Sequence, residues 1–222
     1  MEGSPLAPDI LFHLGPVPIS RAVATTWVIM GLLAGLLYVA FGRPGAKQGA
    51  LQAGLEIVVL TIADQLRQIL GRDPWPYIPL LGSLFLFLCL ANLAAVFPGA
   101  TPPTGHIETP AALALIVFLS VHFYGVTRRG ARRYLQHYLE PSPLLLPLNL
   151  LAEVTRTFSL MIRLFGNMMS HEFVIAIVVF LAGLLVPIPF LLLGILIGII
   201  QAYIFTVLAT VYIAAAVGAV EA

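Results

Sequence analysis

Four side chains able to pair with ions or exchange protons interrupt the apolar stretch SLMIRLFGNMMSHE at residues 159–172: they are Arg163, Asn167, His171 and Glu172. Arginine stays charged at physiological pH and cannot relay protons, whereas glutamate and histidine can exchange them. At the middle of a membrane-spanning helix a charge costs about 2.5 to 3.5 kcal/mol on insertion scales, so it is a candidate functional group. The stretch predicts a fixed positive charge near titratable groups, with snorkelling or internal pairing of Arg163 as the structural alternative.

Helical spacing separates these charges. At about 100° per residue, Arg163 shares a face with Ser159 and Asn167, whereas Glu172 lies on the opposite side of the helix. Glu153 lies roughly 80° around the helix from Arg163 and about 15 Å toward its start. We therefore expect no simple salt bridge between Arg163 and Glu172, and a cationic stripe that is separate from an acidic one.

The composition assigns the chain to the membrane. Of its 222 residues, 60% are hydrophobic and only 9% are charged, against about 25% charged residues in soluble domains. No basic face suited to nucleic acid is present, and the single cysteine, Cys89, excludes an internal disulfide and a cysteine-based metal site. The sequence contains no phosphate-binding loop, hydrolase nucleophile or metal motif, so we expect no catalysis by this chain alone and no cofactor.

The apolar runs predict an all-α integral membrane protein, a single membrane domain over residues 1–222 with about five crossing helices. In chain order the predicted segments are an outside arm (1–20), a first span (24–41), an interfacial amphipathic helix (47–71), a second span (77–97), a third span (109–126) and two long helices (145–186 and 188–220). A helix over 145–180 would be about 54 Å long, well beyond a hydrocarbon core of about 30 Å. We therefore expect the last two helices to be steeply tilted and antiparallel, with a turn at Pro187 and Pro189.

The basic residues orient the chain. They occur between the first and second spans and after the third, at Arg43, Lys47, Arg67, Arg72, Arg128, Arg129, Arg132 and Arg133. The alternate loops carry no lysine or arginine. The positive-inside rule then predicts an N-terminus outside and a C-terminus in the cytoplasm.

Two motifs carry a family resemblance. RLFGNM (163–168), followed by QAYIFTVLATVYI (201–213), closely resembles subunit a of the F-type ATP synthases. FLFLCLANLAAVFPG (85–99) is similar to the second span of that family, and PLNLLAEVTRTFSLMIRLFGN (147–167) to the start of its long tilted helix. The resemblance covers about residues 20–217.

The resemblance implies an ion-translocating stator subunit of a bacterial inner membrane, in contact with a c-subunit ring, a b-subunit stator stalk and membrane lipid. Two offset half-channels would lead from opposite sides to a carboxylate on each c subunit. Arg163 would release the ion from the arriving carboxylate and would prevent leakage between the half-channels. The implied function is proton transport coupled to ATP synthesis or hydrolysis.

Further residues match positions of the same family. Asn167 and Gln201 match polar positions near the arginine, and we expect Gln201 to bond or position Arg163. Glu172 matches the acidic residue of the outer half-channel. Glu153 matches an acidic position on the cytoplasmic side and is a candidate for the exit path.

A histidine occupies an unusual place in this chain. His171 stands where other members have a small residue, whereas some members have a histidine at the position of Gly194. The exchange would keep one histidine beside Glu172. The spacing of Gly194 and Gly198 predicts close helix packing, and Asn92 is expected either to join helices or to line a channel.

The stretch TPPTGHIETPAALAL (101–115) departs from the family. Glu108 stands where members commonly have asparagine, and His106 where they have aspartate or a similar residue. Both could line the outer entrance, where an added negative charge would concentrate cations. The stretch looks like a branch that includes sodium-translocating pumps, so sodium transport is the alternative; plain solvated loop residues remain another.

Two other protein classes were considered. A small secondary transporter is disfavoured because the halves show no internal repeat and no glycine-rich helix break. A membrane anchor for a haem enzyme is disfavoured because the five histidines lie in different segments. His122, among aromatic residues, is expected to be a satisfied core histidine.

Overall fold

The computed structural model describes residues 10–14, 17–41, 49–96, 102–139, 144, 146–183 and 186–218. Its helices are α1 (Arg21–Phe41), α2 (Ala50–Leu70), α3 (Ile78–Leu93), α4 (Glu108–Arg129), α5 (Ala131–Leu139), α6 (Leu146–Ala182) and α7 (Pro187–Val217). Four of them, α1, α4, α6 and α7, are long and apolar enough to cross a membrane. The predicted all-α membrane architecture is therefore confirmed.

The second predicted span is shorter than the sequence indicated. Helix α3 is apolar but has 16 residues, a length of about 24 Å. After Leu93 the chain tightens into a short 3₁₀ turn over Ala94–Val96. The apolar run continues past the helix because hydrophobicity alone does not mark where a helix ends.

A small hairpin precedes the first long helix. Strands β1 (Ile10–Leu14) and β2 (Val17–Ser20) pair antiparallel, within the segment that we predicted to be an extended arm. The chain is extended there, and it pairs with itself. The available signal was the apolar and β-branched composition of both segments, which is typical of strands.

The last two helices have the predicted length and direction. Helix α6 has 37 residues and α7 has 31, which correspond to about 55 and 46 Å. They run antiparallel, since contacts join His171 to Phe190 near one end and Arg156 to Tyr212 near the other. Their tilt in the bilayer remains a prediction.

The turn between these helices differs from the expected one. Helix α6 ends before Gly183, which has a left-handed φ of 77°, and α7 begins at Pro187. Proline lacks a backbone N–H, which the first helical turn does not need for an intrahelical bond. Pro187 and Pro189 therefore begin the helix rather than form the turn.

Helix α2 packs on the bundle through its second half. Ile62, Ala63, Leu66 and Leu70 are buried where α2 meets α3 and α7. Its charged positions, Glu56, Asp64 and Arg67, are exposed. This one-sided burial fits the predicted amphipathic helix, and its location at the membrane interface remains a prediction.

The core forms around α7 rather than α6. Helix α7 contacts α3 and α4 most extensively, and the buried residues of its second half include Ala202, Phe205, Ala209 and Ile213. Helix α6 buries only Leu160 and Leu164 among its described residues. One helix is thus built into the protein, and the other presents most of its surface outward.

Candidate functional site

Arg163 lies on the outward surface of α6. Its neighbour Leu164 is buried in the core, whereas Arg163 itself is exposed. Within the part of the chain that the structure describes, the guanidinium makes no hydrogen bond or ion pair. No ion pair joins Arg163 to Glu172, in keeping with their spacing of nine residues. The charge is therefore fixed on a long helix without a counter-ion from the described residues.

Asn167 and Gln201 join α6 to α7 one helical turn beyond Arg163. The Asn167 Nδ2 donates to Gln201 Oε1 at 3.4 Å. Gln201 is 6% exposed, and its Nε2 has no partner among the described residues. The expected bond from Gln201 to Arg163 is not among those that the structure describes. Gln201 instead accepts a hydrogen bond from Asn167, which lies one turn after Arg163 on the same face of α6.

A small polar cavity surrounds this contact. Its volume is about 20 Å³, and its lining includes Asn92, Asn167, His171 and Gln201. A cavity of this size has room for about one water molecule. The unpartnered Gln201 Nε2 is a donor available to that water.

His171 fills the space that Gly194 leaves open. Its Nε2 lies 3.1 Å from the Phe190 carbonyl oxygen, which accepts the hydrogen bond. A Cβ atom at position 194 would overlap the imidazole ring. The histidine of α6 and the glycine of α7 are therefore sterically complementary, as the predicted exchange between these two positions requires.

Glu172 contacts the connection between α3 and α4. A Cβ atom at Gly105, in the 3₁₀ turn Pro103–Gly105, would lie 2.7 Å from Glu172 Oε1. His106 directly follows Gly105 in the chain, and His171 directly precedes Glu172 in α6. The structure therefore brings together three of the predicted residues, Glu172, His171 and His106.

A buried hydrogen-bond chain fixes the same turn. Thr104 is fully buried, and its hydroxyl donates to Asn92 Oδ1 at 3.0 Å. The Asn92 Nδ2 donates to the Gly198 carbonyl oxygen at 2.8 Å. A Cβ atom at Gly198 would lie 2.8 Å from Asn92 Cβ. Asn92 thus joins helices, and Gly194 and Gly198 permit close approach, as predicted.

Glu108 lies apart from this group. It is exposed at the first residue of α4, and its Oε2 accepts a hydrogen bond from Ser20 at 3.4 Å. It lines a crevice between α1, α3 and α4 that shares no residue with the cavity around Gln201. Among the contacts described, none joins Glu108 to Glu172.

Glu153 lies on the other side of Arg163 along α6. Its carboxylate is 3.7 Å from Arg156 Nη1, and the Arg156 guanidinium lies over the Tyr212 ring at 5.8 Å. The ten residues to Arg163 and the nine from Arg163 to Glu172 correspond to about 15 and 14 Å along the helix. The two acidic groups are thus separated along α6, with the free arginine between them.

Sequence reasoning missed Thr104 and the backbone of Gly105. The available signal was the proline–glycine cluster at 102–105, which is typical of a turn. It does not reveal that the turn packs against α6. His122 agrees with its prediction, since its Nδ1 lies 2.8 Å from the Phe118 carbonyl oxygen and its ring contacts the Phe118 ring. Among the described residues, no group of histidine, cysteine or acidic side chains could hold a metal ion.

Comparison with known proteins determines the family. A family model described as ATP synthase A chain matches residues 23–214. The chain belongs to the ATP synthase A chain family. This membership replaces the secondary-transporter and haem-anchor alternatives. The protein is therefore one subunit of an ATP synthase complex, an integral membrane protein whose partners are other subunits of that complex.

Relatives match the A chain over nearly its whole length. "ATP synthase subunit a 2" of Bradyrhizobium sp. strain BTAi1 is 56% identical over 99% of both chains. "ATP synthase subunit a" of Nitrosospira multiformis is 46% identical over 95% of this chain and 86% of the relative. "ATP synthase subunit a 2" of Pelobacter propionicus is 44% identical over 96% of this chain and 93% of the relative.

Proposed function

We propose that this A chain is the ion-translocating stator subunit of a rotary ATP synthase or ATPase. In this proposal it provides two offset half-channels to a carboxylate on each subunit of the c ring, and Arg163 separates the half-channels. The transported ion is the proton, and transport is coupled to ATP synthesis or hydrolysis at catalytic subunits elsewhere in the complex.

The observation that carries the proposal is the exposed Arg163, which has no counter-ion among the described residues. An unpaired charge in a membrane is costly, and such residues usually face a partner or a water-filled cavity. A carboxylate on an adjacent subunit would supply the missing charge. The arginine would favour the ionised form of that carboxylate, so the ion would leave as the carboxylate arrives.

The group around Glu172 supports an aqueous path on one side of the arginine. His171 and Glu172 are consecutive in α6, and Glu172 lies against Gly105, the residue before His106; the cavity beside His171 is lined by Asn92, Asn167 and Gln201. Carboxylate and imidazole groups can exchange protons, and amide groups can orient water between them. We assign these residues to the outer half-channel.

Glu153 and Arg156 support a second path on the other side of the arginine. Side-chain exposures are 12% for Glu153 and 50% for Arg156, so Arg156 is accessible at the surface and the Glu153 carboxylate lies largely covered beside it. We assign Glu153 to the cytoplasmic half-channel. The separation of both carboxylates from Arg163 along α6 gives the two paths the offset that rotation requires.

The exposed surface of α6 and the adjoining face of α7 are proposed to contact the c ring. The basic loops favour an N-terminus outside and a C-terminus in the cytoplasm, and the membrane in this proposal is a bacterial inner membrane. A b-subunit stalk would hold the A chain against rotation. These assignments leave α6 free to face the moving partner.

Sodium transport by the same mechanism is the second candidate. It is favoured by the acidic residue at Glu108, where a further negative charge would concentrate any cation near the membrane surface. In this proposal the ion-binding carboxylate lies on the c ring, so Glu108 alone does not determine which ion is transported. Only transport itself discriminates between the two ions.

The test is ATP-driven ion uptake into inside-out vesicles that contain the whole complex. Wild type is compared with Arg163→Ala and with Arg132→Ala, which removes an exposed arginine of α5. Internal acidification and radioactive sodium are followed with and without a protonophore. We expect Arg163→Ala to abolish coupled uptake and Arg132→Ala to retain it.

The two ions give opposite responses to the protonophore. Acidification that the protonophore abolishes, without sodium uptake, identifies a proton motor. Sodium uptake that survives or rises with the protonophore identifies a sodium motor. If Arg163→Ala vesicles, with normal amounts of assembled complex, take up either ion as fast as wild type, the proposed role of Arg163 is wrong.

A further inference from the structure

A second cavity lies between α1, α3 and α4, apart from the polar cavity at Gln201. Its volume is about 510 Å³, within the range of about 300–1,000 Å³ that is usual for small-molecule sites. Its walls are largely apolar, with Met30 from α1, Phe87 from α3 and Ile116 from α4. Among the described residues that line it, Glu108 is the only charged one. The proposed channel residues near Arg163 take no part in this crevice.

The crevice is polar at one end and apolar along its depth. Its lining on α1 extends from Val23 to Leu33, ten residues that correspond to about 15 Å. Glu108 lies at the first residue of α4, where the helix enters the membrane, and it accepts a hydrogen bond from Ser20. A ligand that fills this space must therefore be amphiphilic, with its polar group beside Glu108.

The volume of the crevice limits which amphiphilic ligands can fit inside it. A helix is about 10–12 Å wide with its side chains, so 15 Å of helix occupies more than about 1,000 Å³. At about 510 Å³ the crevice is too small to enclose such a length of helix, and its volume is that of a hydrocarbon chain. The carboxylate of Glu108 favours a cationic group and repels a purely anionic headgroup.

We propose that the crevice binds one acyl chain of a phospholipid whose headgroup carries an ammonium group, and that this group pairs with Glu108. The chain would fill the gap between α1 and α4 that their separate packing on α3 leaves open. This inference rests on the membrane location of the protein and not on its proposed ion-translocating role. It gives Glu108 a function apart from Glu172, in line with their different surroundings.

The test uses the whole complex in nanodiscs of mixed phosphatidylethanolamine and phosphatidylglycerol. Trace lipid of either headgroup carries a photoactivatable acyl chain, and cross-linked peptides are identified by mass spectrometry. We expect the ethanolamine probe to label the α1 and α4 peptides that line the crevice more strongly than the glycerol probe. Glu108→Gln should lower this preference about threefold, the scale of an exposed ion pair.

A second variant fills the crevice with a larger side chain. Ala112 lines the crevice, so Ala112→Phe should reduce labelling by either probe about tenfold, because added volume displaces the chain. Leu119→Phe is the matched control: Leu119 is exposed two turns further along α4 and lies outside the crevice. Labelling is measured per assembled complex, so a loss of assembly does not mimic a loss of binding.

Four results would overturn the proposal. Equal labelling by both probes in wild type, or an unchanged preference in Glu108→Gln, would exclude the ammonium contact. Undiminished labelling in Ala112→Phe would exclude the crevice as the site. Cross-links from the crevice to a protein subunit in place of lipid would show that another polypeptide occupies it.

Discussion

The two ends of α6 differ in how many other elements of this chain contact their polar residues. At the Glu172 end, side chains and backbone from the turn Pro103–Gly105, α3 and α7 surround the polar residues. At the Glu153 end, the described polar contacts are an ion pair with Arg156 and the ring of Tyr212. Residues from three other elements contact the Glu172 end, whereas the described polar contacts at the Glu153 end come from α6 itself and from α7.

This difference follows from which groups can be stabilised internally. Buried polar groups need partners, because each unpaired one costs about 1–3 kcal/mol. The Glu172 end meets that need with the Thr104–Asn92–Gly198 chain. At the Glu153 end, the largely covered carboxylate of Glu153 has one described charged partner, the half-exposed Arg156. We infer that the outer path is largely formed by the A chain, and that the cytoplasmic path is completed by the partner that also pairs with Arg163.

A substitution at Gly194, which contacts His171, is expected to give the largest effect at the Glu172 end of α6. Gly194→Ala would place a methyl group where the His171 ring now lies, so the ring must move away from Phe190, and such overpacking costs about 1–3 kcal/mol. We expect a large loss of assembled complex and of ATP-driven uptake, measured in the same membranes. The double variant His171→Gly, Gly194→His returns an imidazole to the same space and should restore much of both.

A glycine elsewhere provides the control for that variant. A Cβ atom at Gly35 in α1 meets nothing within 4 Å, so Gly35→Ala should leave assembly and uptake unchanged. If Gly194→Ala is equally silent, the two helices are less closely packed at this point than the geometry states. The contrast between the ends would then lose its main support.

The buried hydroxyl of Thr104 gives a smaller effect at the same end. Thr104→Val keeps the shape and leaves Asn92 Oδ1 without its donor, which costs about 1–3 kcal/mol when the group is buried. We expect a lower thermal unfolding temperature of the complex and slower uptake. Thr104→Ser retains the hydroxyl and should recover most of the loss, whereas equal damage by both variants would assign the effect to the methyl group.

The sequence was sufficient to predict the elements that depend on composition and on helical periodicity. Apolar runs located the four long helices, and the length of the run around Arg163 predicted a helix longer than the membrane is thick. Helical angles separated Arg163 from Glu172, because rotation per residue is nearly constant. Family motifs supplied the residue set, since RLFGNM and QAYIFTVLATVYI are specific in combination.

Other features depend on contacts between distant segments, which no local pattern encodes. Nothing in TPPTGH shows that Gly105 lies against Glu172, which is 67 residues later in the sequence. Likewise the family positions that Glu108 and His106 match led to the expectation that both line the outer entrance. The structure turns Glu108 toward Ser20 and the α1 crevice, while His106 is near Glu172.

The Glu153 end of α6 is tested by a variant that we expect to change transport without changing stability. Glu153→Gln removes an ion pair between partly exposed groups at 3.7 Å, and such pairs contribute less than about 1 kcal/mol. We therefore expect an unchanged unfolding temperature but a reduced initial rate of ATP-driven uptake. Glu56→Gln, at an exposed glutamate of α2, is the matched control. An unchanged rate in Glu153→Gln would remove Glu153 from the cytoplasmic path, whereas a large loss of stability would show that this end is packed as firmly as the other.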